Sequence, residues 1–346
     1  MRRLLVLLLA LLVVAGCGGT TTVREDDVVV SDEETPENRP TPETTPARGE
    51  GLRLASARIA VVSHGQASDP FWAIVKKGLD DAARQTNVAV SYRAPDTYDL
   101  ARMRRLIDEA ISARLDGLVV SLPDVQALRA PIRRAERAGI PVITINSGSD
   151  RFRDLGVMAH VGQPEYRAGF ESGLRMARAD VDDAICVNQE RGNAGLDQRC
   201  RGFKAGMQRG GGRATELFVD LQDTNETQQR IAQAIAGRDA DGVITLGAAA
   251  ALPAMKAVDI RSSGRRVKLA TFVLSPEVLE AVRDRRMLFA VDQQPYLQGY
   301  LPIVLLAERA RHLLSPPRGE LIPTGPDFVT AATADEVLDL TRRGFR

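Results

Sequence analysis

Apolar and polar residues follow two rhythms along this chain, and the rhythms take turns. Residues 58–63 form a short apolar, β-branched run, which predicts a buried strand. From Asp69-Pro70 onward Phe71, Ile74, Val75, Leu79 and Ala82 recur at helical spacing, predicting a helix to about residue 85. Asp is a good N-cap and Pro suits the first helical position. The pattern continues as strand 88–92, helix 100–113, strand 117–122, helix 125–138 and strand 141–145. It restarts with strand 184–188 and a helix from 199 to about 207. Strand 215–219, helix 227–236, strand 242–246, helix 255–260 and strand 268–272 follow. Strands alternating with helices predict parallel sheets covered on both faces. Residues 111–120 and 235–244 echo one another: each reads as a helix end, an Asp-Gly turn and a buried strand. The echo supports two similar halves, although Asp-Gly before a strand is also ordinary turn chemistry.

Two stretches at the N-terminus fall outside this rhythm. Arg2-Arg3 precede an apolar run of about 11 residues, too short to span a bilayer and suited to a secretory signal. The run ends in Val14-Ala15-Gly16-Cys17, which resembles a bacterial lipobox. By that resemblance residues 1–17 are a lipoprotein signal peptide, Cys17 is lipidated, and the mature protein is anchored to the extracytoplasmic side of the cell membrane. Residues 18–56 are rich in Thr, Glu, Pro and Asp and cannot bury enough apolar surface to offset their ordering entropy. They read as a disordered tether spanning very roughly 35 Å.

Composition narrows the function. The 346 residues carry 46 basic and 45 acidic side chains, a net charge of +1, so no basic excess argues for nucleic acid. No phosphate-binding loop, zinc motif or nucleophile elbow occurs, and His64, His160 and His312 lie far apart in sequence. No catalytic residue, metal or cofactor is expected, and the chain does not read as an enzyme. With Cys17 set aside, Cys186 and Cys200 remain. Their spacing fits neither a zinc site nor a redox pair, and in an exported protein they are expected to form a disulfide. The alternative is two buried thiols. The bridge would carry Asn188, Gln189 and Glu190 toward a cleft.

Several segments resemble the sugar-binding type I periplasmic binding proteins, the ribose-binding group. They are Val61-Val62-Ser63 with Ser68-Asp69-Pro70-Phe71-Trp72, Asp116 to Ser121, Gly139 to Asn146, Arg199-Cys200-Arg201-Gly202-Phe203, and Asp292 to Tyr300. The resemblance implies two doubly wound α/β lobes joined by three crossovers, near 160–163, 292–295 and 325–328. The first lobe would be 57–160 plus 294–326, the second 161–293 plus 327–346. A sugar-like ligand would be clamped between them.

By the same resemblance Phe71 and Trp72 stack on the sugar, and Asp69 contacts it or serves only as an N-cap. Asn146, Arg199, Gln293 and Ser121 meet its hydroxyls. Two positions depart from the family. Val273 stands where an Asp usually takes two hydroxyls, and Gly247 where an Asn is usual, so the second lobe offers a less polar surface. Poor ribose binding is expected, with preference for a deoxy or methylated ligand. The expected role is a monomeric solute-binding lipoprotein delivering a monosaccharide or cyclic polyol to an ABC importer permease. The rivals are a sensory lipoprotein of the same fold, a repressor (which would need a DNA-binding segment) and an enzyme.

Overall fold

The computed structural model describes residues 56–65, 69–96, 98–113, 115–260 and 267–346. Cys17, the segment 1–17 and residues 18–55 of the expected tether lie outside the described residues. In the first half, β1 (Arg58–Val62), α1 (Pro70–Thr86), β2 (Ala89–Arg93), α2 (Leu100–Ser112), β3 (Gly117–Ser121), α3 (Val125–Arg137), β4 (Val142–Ile145) and β5 (Ala159–Gly162) follow in order. The second half runs α4 (Glu165–Arg178), β6 (Asp183–Asn188), α5 (Ala194–Arg209), β7 (Arg213–Phe218), α6 (Thr224–Arg238), β8 (Gly242–Thr245), α7 (Ala248–Ile260), β9 (Lys268–Phe272), α8 (Pro276–Arg283) and β10 (Ala290–Asp292). The chain closes with α9 (Pro295–His312), β11 (Glu320–Pro323), β12 (Asp327–Val329) and α10 (Ala334–Arg342).

These elements build two six-stranded sheets of repeated topology. One has the order β11-β5-β4-β3-β1-β2 and the other β12-β10-β9-β8-β6-β7. All neighbours are parallel except β10 and β12. The two echoing segments end in β3 and β8, which hold equivalent places in the two sheets. This is the doubly wound, two-lobed architecture that the alternation implies.

Strand side chains alternate between faces, and each face has its own core. On one side of the first sheet Ile59, Val61, Val119, Ile143 and Val161 pack with residues of α1 and α9. On the other, Ala60, Val62, Leu118, Val120 and Val142 pack with α2 and α3. The second sheet splits the same way, with Ile185, Val187 and Val243 on one face and Cys186, Ile244, Ala270 and Phe272 on the other. Glycines draw two helix pairs together. A Cβ at Gly78 or Gly299 would strike backbone across the α1–α9 contact, and one at Gly169 or Gly202 across α4–α5.

Three helices start earlier than periodicity implies; α6, expected from 227, begins at Thr224 behind the Asp223 cap. The helix expected from 199 begins at Ala194, where the Asn193 side chain accepts from Gly195 N, because a cap and not an apolar stripe marks its start. The helix expected from 255 begins at Ala248, since an alanine run carries no polar face to set a period.

The chain passes between the sheets at Gln163-Pro164, at Gln293-Gln294 and at Thr324–Pro326. After α10, which packs on α8, the segment Gly344–Arg346 returns to the first lobe. Phe345 lies 5.3 Å from the Tyr296 ring of α9, with Lys77 Nζ of α1 4.5 Å over it. Arg346 then pairs with Asp292 at 2.7 Å and Asp327 at 3.1 Å, beside the second and third crossovers.

Candidate functional site

In parallel sheets the carboxyl ends of the strands, with the helix N-termini that follow, face one open crevice. Here both sheets point that edge at each other across a cavity of about 220 Å³. The first lobe contributes His64 after β1, Asp69 to Trp72 at the start of α1, and Asn146 after β4. The second contributes Gln189 and Glu190 after β6, Arg199 from α5, Leu246 to Ala249 after β8, and Val273 after β9. Gln293 enters from the second crossover.

Eight of the nine ligand-contact candidates line this cavity: Asp69, Phe71, Trp72, Asn146, Arg199, Gly247, Val273 and Gln293. Ser121 is not among the lining residues. It is fully buried one layer behind, where its hydroxyl accepts from His64 N at 2.8 Å and lies 2.8 Å from His64 Nδ1. Ser121 therefore holds a lining residue in place. Asp69 is an N-cap, its Oδ1 accepting from Phe71 N at 2.8 Å, and also borders the cavity.

The floor is polar and almost fully buried: Asn146, Arg199 and Gln293 are 6%, 2% and 2% exposed. The Arg199 guanidinium is held by Glu165, whose oxygens accept from Nε at 2.6 Å and Nη2 at 2.9 Å. Nη2 also donates to Gln293 Oε1 at 2.7 Å, and Nη1 to Leu246 O at 3.2 Å. Four of its five N–H bonds are thus engaged, leaving one on Nη1. The glycine contact between α4 and α5 explains this reach, because Gly169 lies directly against the Arg199 backbone. Asn146 donates to Gln298 Oε1 at 3.3 Å. Gln298 in turn donates to Gln293 O at 3.0 Å and Thr324 Oγ1 at 3.2 Å. Polar groups from both lobes are therefore wired to the second and third crossovers.

Aromatic side chains line the first-lobe wall. Trp72 meets Phe71 edge-on at 5.3 Å and His64 at 5.1 Å between ring centroids. Burial holds the His64 pKa below its ordinary value, with Arg199 adding to the effect and Glu190 opposing it. Asp69 is shifted upward, first by loss of solvation, against the backbone donors Phe71 and Trp72 and with the charge of Glu190. The lobes also touch across the cleft: Ser147 Oγ donates to Asn193 Oδ1 at 2.9 Å, and Ala194 N to Pro123 O at 2.8 Å.

The expected disulfide is present. Cys186 on β6 and Cys200 on α5 are bridged with Cα atoms 5.8 Å apart. Gln189 and Glu190 reach the cavity, whereas Asn188 turns away to Asp197 and Glu216. Residues that sequence reasoning did not single out include His64, Glu165, Leu221 and Leu252. His64 carried one usable signal, its place immediately after the end of β1. Among the described residues no group of His, Cys, Asp and Glu could hold a metal ion, and no helix is long and apolar enough to cross a membrane.

Comparison with known proteins agrees with this geometry. The family model for the periplasmic binding protein domain matches residues 59–312. A carbohydrate transporter structure from Acidothermus cellulolyticus, in complex with myo-inositol, is 34% identical with a TM-score of 0.78, covering 84% of this chain and all of that one. The xylose/arabinose-binding protein XylF of Sulfolobus acidocaldarius is 24% identical over 310 residues, 82% of this chain and 74% of the relative. The ribose import binding protein RbsB of Bacillus subtilis is 22% identical over 246 residues, 68% of this chain and 75% of the relative. This chain belongs to the periplasmic binding protein family, in its type I, ribose-binding-like group, whose members bind solutes and are not enzymes.

Proposed function

We propose that this protein is an extracytoplasmic solute-binding lipoprotein of an ABC importer and captures a monosaccharide or cyclic polyol between its lobes. The observation that carries the reading is the buried polar floor, where Asn146 of one lobe, Arg199 of the other and Gln293 of a crossover face one cavity. A hydroxylated ring that satisfies all three favours the closed arrangement in proportion to its extra affinity for that form. The aromatic rings of Phe71 and Trp72 give the C–H face of such a ring an apolar surface to pack on. No covalent step is needed. The myo-inositol complex of the 34% identical structure and the pentose-binding relatives support this ligand class.

A thermal-shift screen of cyclic polyols and pentoses tests it. A ligand at 100 times its Kd adds about 2.7 kcal/mol of stability. No shift from any member of the screen would reject the ligand class. Lipid attachment at Cys17 is tested separately. Fatty-acid labelling should mark the wild type and not Cys17→Ala.

A further inference from the structure

The polar floor covers only part of the cavity. The second-lobe wall that rises from it is largely apolar: the buried Leu196 and Leu246 with the half-buried Ala248 and Val273 near the base, the more exposed Leu221 and Leu252 toward the mouth, and Gln189, Glu190, Ser275 and Glu277 as its polar members. Leu252 is 40% exposed, a large apolar side chain left open beside the cleft. Gly247 adds no side chain, and the Gln189 amide lies over it, with its buried Oε1 without a hydrogen-bond partner among the described residues. Val273 has φ +74°, a left-handed conformation that is a genuine outlier for a β-branched residue. Its backbone N–H donates to Val291 O at 3.0 Å, which fixes the bend at the end of β9. The side chain packs against the apolar clusters of both lobes, one of which contains Phe71 and Trp72. Asp and Asn enter this backbone region far more readily. A valine here is strained and places an apolar residue on the cavity lining.

Resting on the ligand class proposed above, we infer that the ligand has one hydroxylated edge and one apolar edge. The hydroxyls meet Asn146, Arg199 and Gln293 at the floor, while a deoxy carbon or an O-methyl group lies against Val273, Leu246 and the two leucines at the mouth. A fully hydroxylated ring would turn at least one hydroxyl onto Val273, Leu246 and the two leucines, none of which replaces its water. One methyl or methylene in such a pocket is worth about 10–200-fold in discrimination.

Titration calorimetry on matched pairs tests the inference. Suitable pairs are myo-inositol with its mono-O-methyl ethers, and xylose and ribose with their deoxy and methyl glycoside forms. The expected result is that the deoxy or methylated member of at least one pair binds tenfold or more tighter. Val273→Asp should reverse that preference, and it remains foldable because Asp tolerates this backbone conformation. Leu252→Asp should weaken only the methylated member. Equal or tighter binding of the fully hydroxylated member in every pair would overturn the apolar edge while leaving the ligand class intact. Binding of no pair member at all would overturn both.

Discussion

Glu165 and Arg199 form a two-point ion pair beneath the cleft floor, Nε to Oε2 at 2.6 Å, with side chains only 1% and 3% exposed. The pair sits between α4 and α5, whose backbones approach closely at Gly169 and Gly202. Removing one partner strands the other charge. Glu165→Ala should therefore cost about 3–5 kcal/mol. Urea unfolding checks this through a lower midpoint at unchanged slope. A Glu165→Leu/Arg199→Met double variant should be less harmful than Glu165→Ala, since it buries no lone charge. Equal loss in both would assign the effect to packing.

Trp72 is the only tryptophan in the chain and lines the cavity. Its emission should change when a ligand fills the cleft, giving a direct titration signal. Trp72→Ala should weaken binding by about 1–3 kcal/mol through lost apolar contact. Unaltered affinity in this variant would restrict Trp72 to a packing role.

The Cys186–Cys200 bridge spans a sequence separation of 14. A loop of this size is worth about 3 kcal/mol in the chain-entropy treatment. Thiol counting on the denatured mature protein should find these two thiols only after reduction. The reduced protein should unfold at correspondingly lower urea.

Much of the fold was legible because burial and periodicity coincide. β3 and β8 are buried throughout and lie in the middle of their sheets, so both their type and their equivalence can be read locally. The site was legible where a residue follows a strand end, as Asn146 and Val273 do. Glu165 was not, because its meaning comes from Arg199, 34 positions away, and from glycines that let two helices touch. Ser121 misleads for the same reason. It ends a strand facing the cleft, but His64 from the neighbouring strand end takes its hydroxyl. The apolar mouth was half visible. Val273 and Gly247 signal it as departures from a pattern, whereas Leu221 and Leu252 are single leucines that only the tertiary fold brings together.

His160 supplies a pH prediction. Burial pushes its imidazole down to about 3 from an ordinary value near 6.5, with Arg153 adding to the shift and a backbone hydrogen bond to Asn146 opposing it. The folded protein therefore excludes a proton that the unfolded chain accepts. This contribution is intact above about pH 6.5 and erodes as pH falls toward 3, by up to about 1.4 kcal/mol per unit. Between pH 7 and 5 the wild type should lose roughly 2 kcal/mol more stability than His160→Gln. Parallel pH profiles for the two proteins would contradict the assignment.

The returning segment Gly344–Arg346 supplies another. Truncation after Arg343 removes the Phe345 contact with Tyr296 and leaves Asp292, 1% exposed, without the Arg346 guanidinium. Burial already shifts the Asp292 carboxyl upward, and Arg346 opposes that shift. Truncation should destabilise the protein by about 1–3 kcal/mol. An unchanged unfolding midpoint would show the segment to be dispensable.

The covalent bridge has a consequence for recognition as well as for folding. Between its two half-cystines lie Gln189, Glu190 and Leu196, and Arg199 directly precedes the second, so much of the second lobe's cavity lining hangs on one closed loop. A free loop would have to surrender its conformations each time a ligand arrived, and that loss would weaken every complex alike. With the loop already confined, the ordering is complete before the encounter. What then separates one ligand from another is the fit of its atoms to a surface that was in place beforehand.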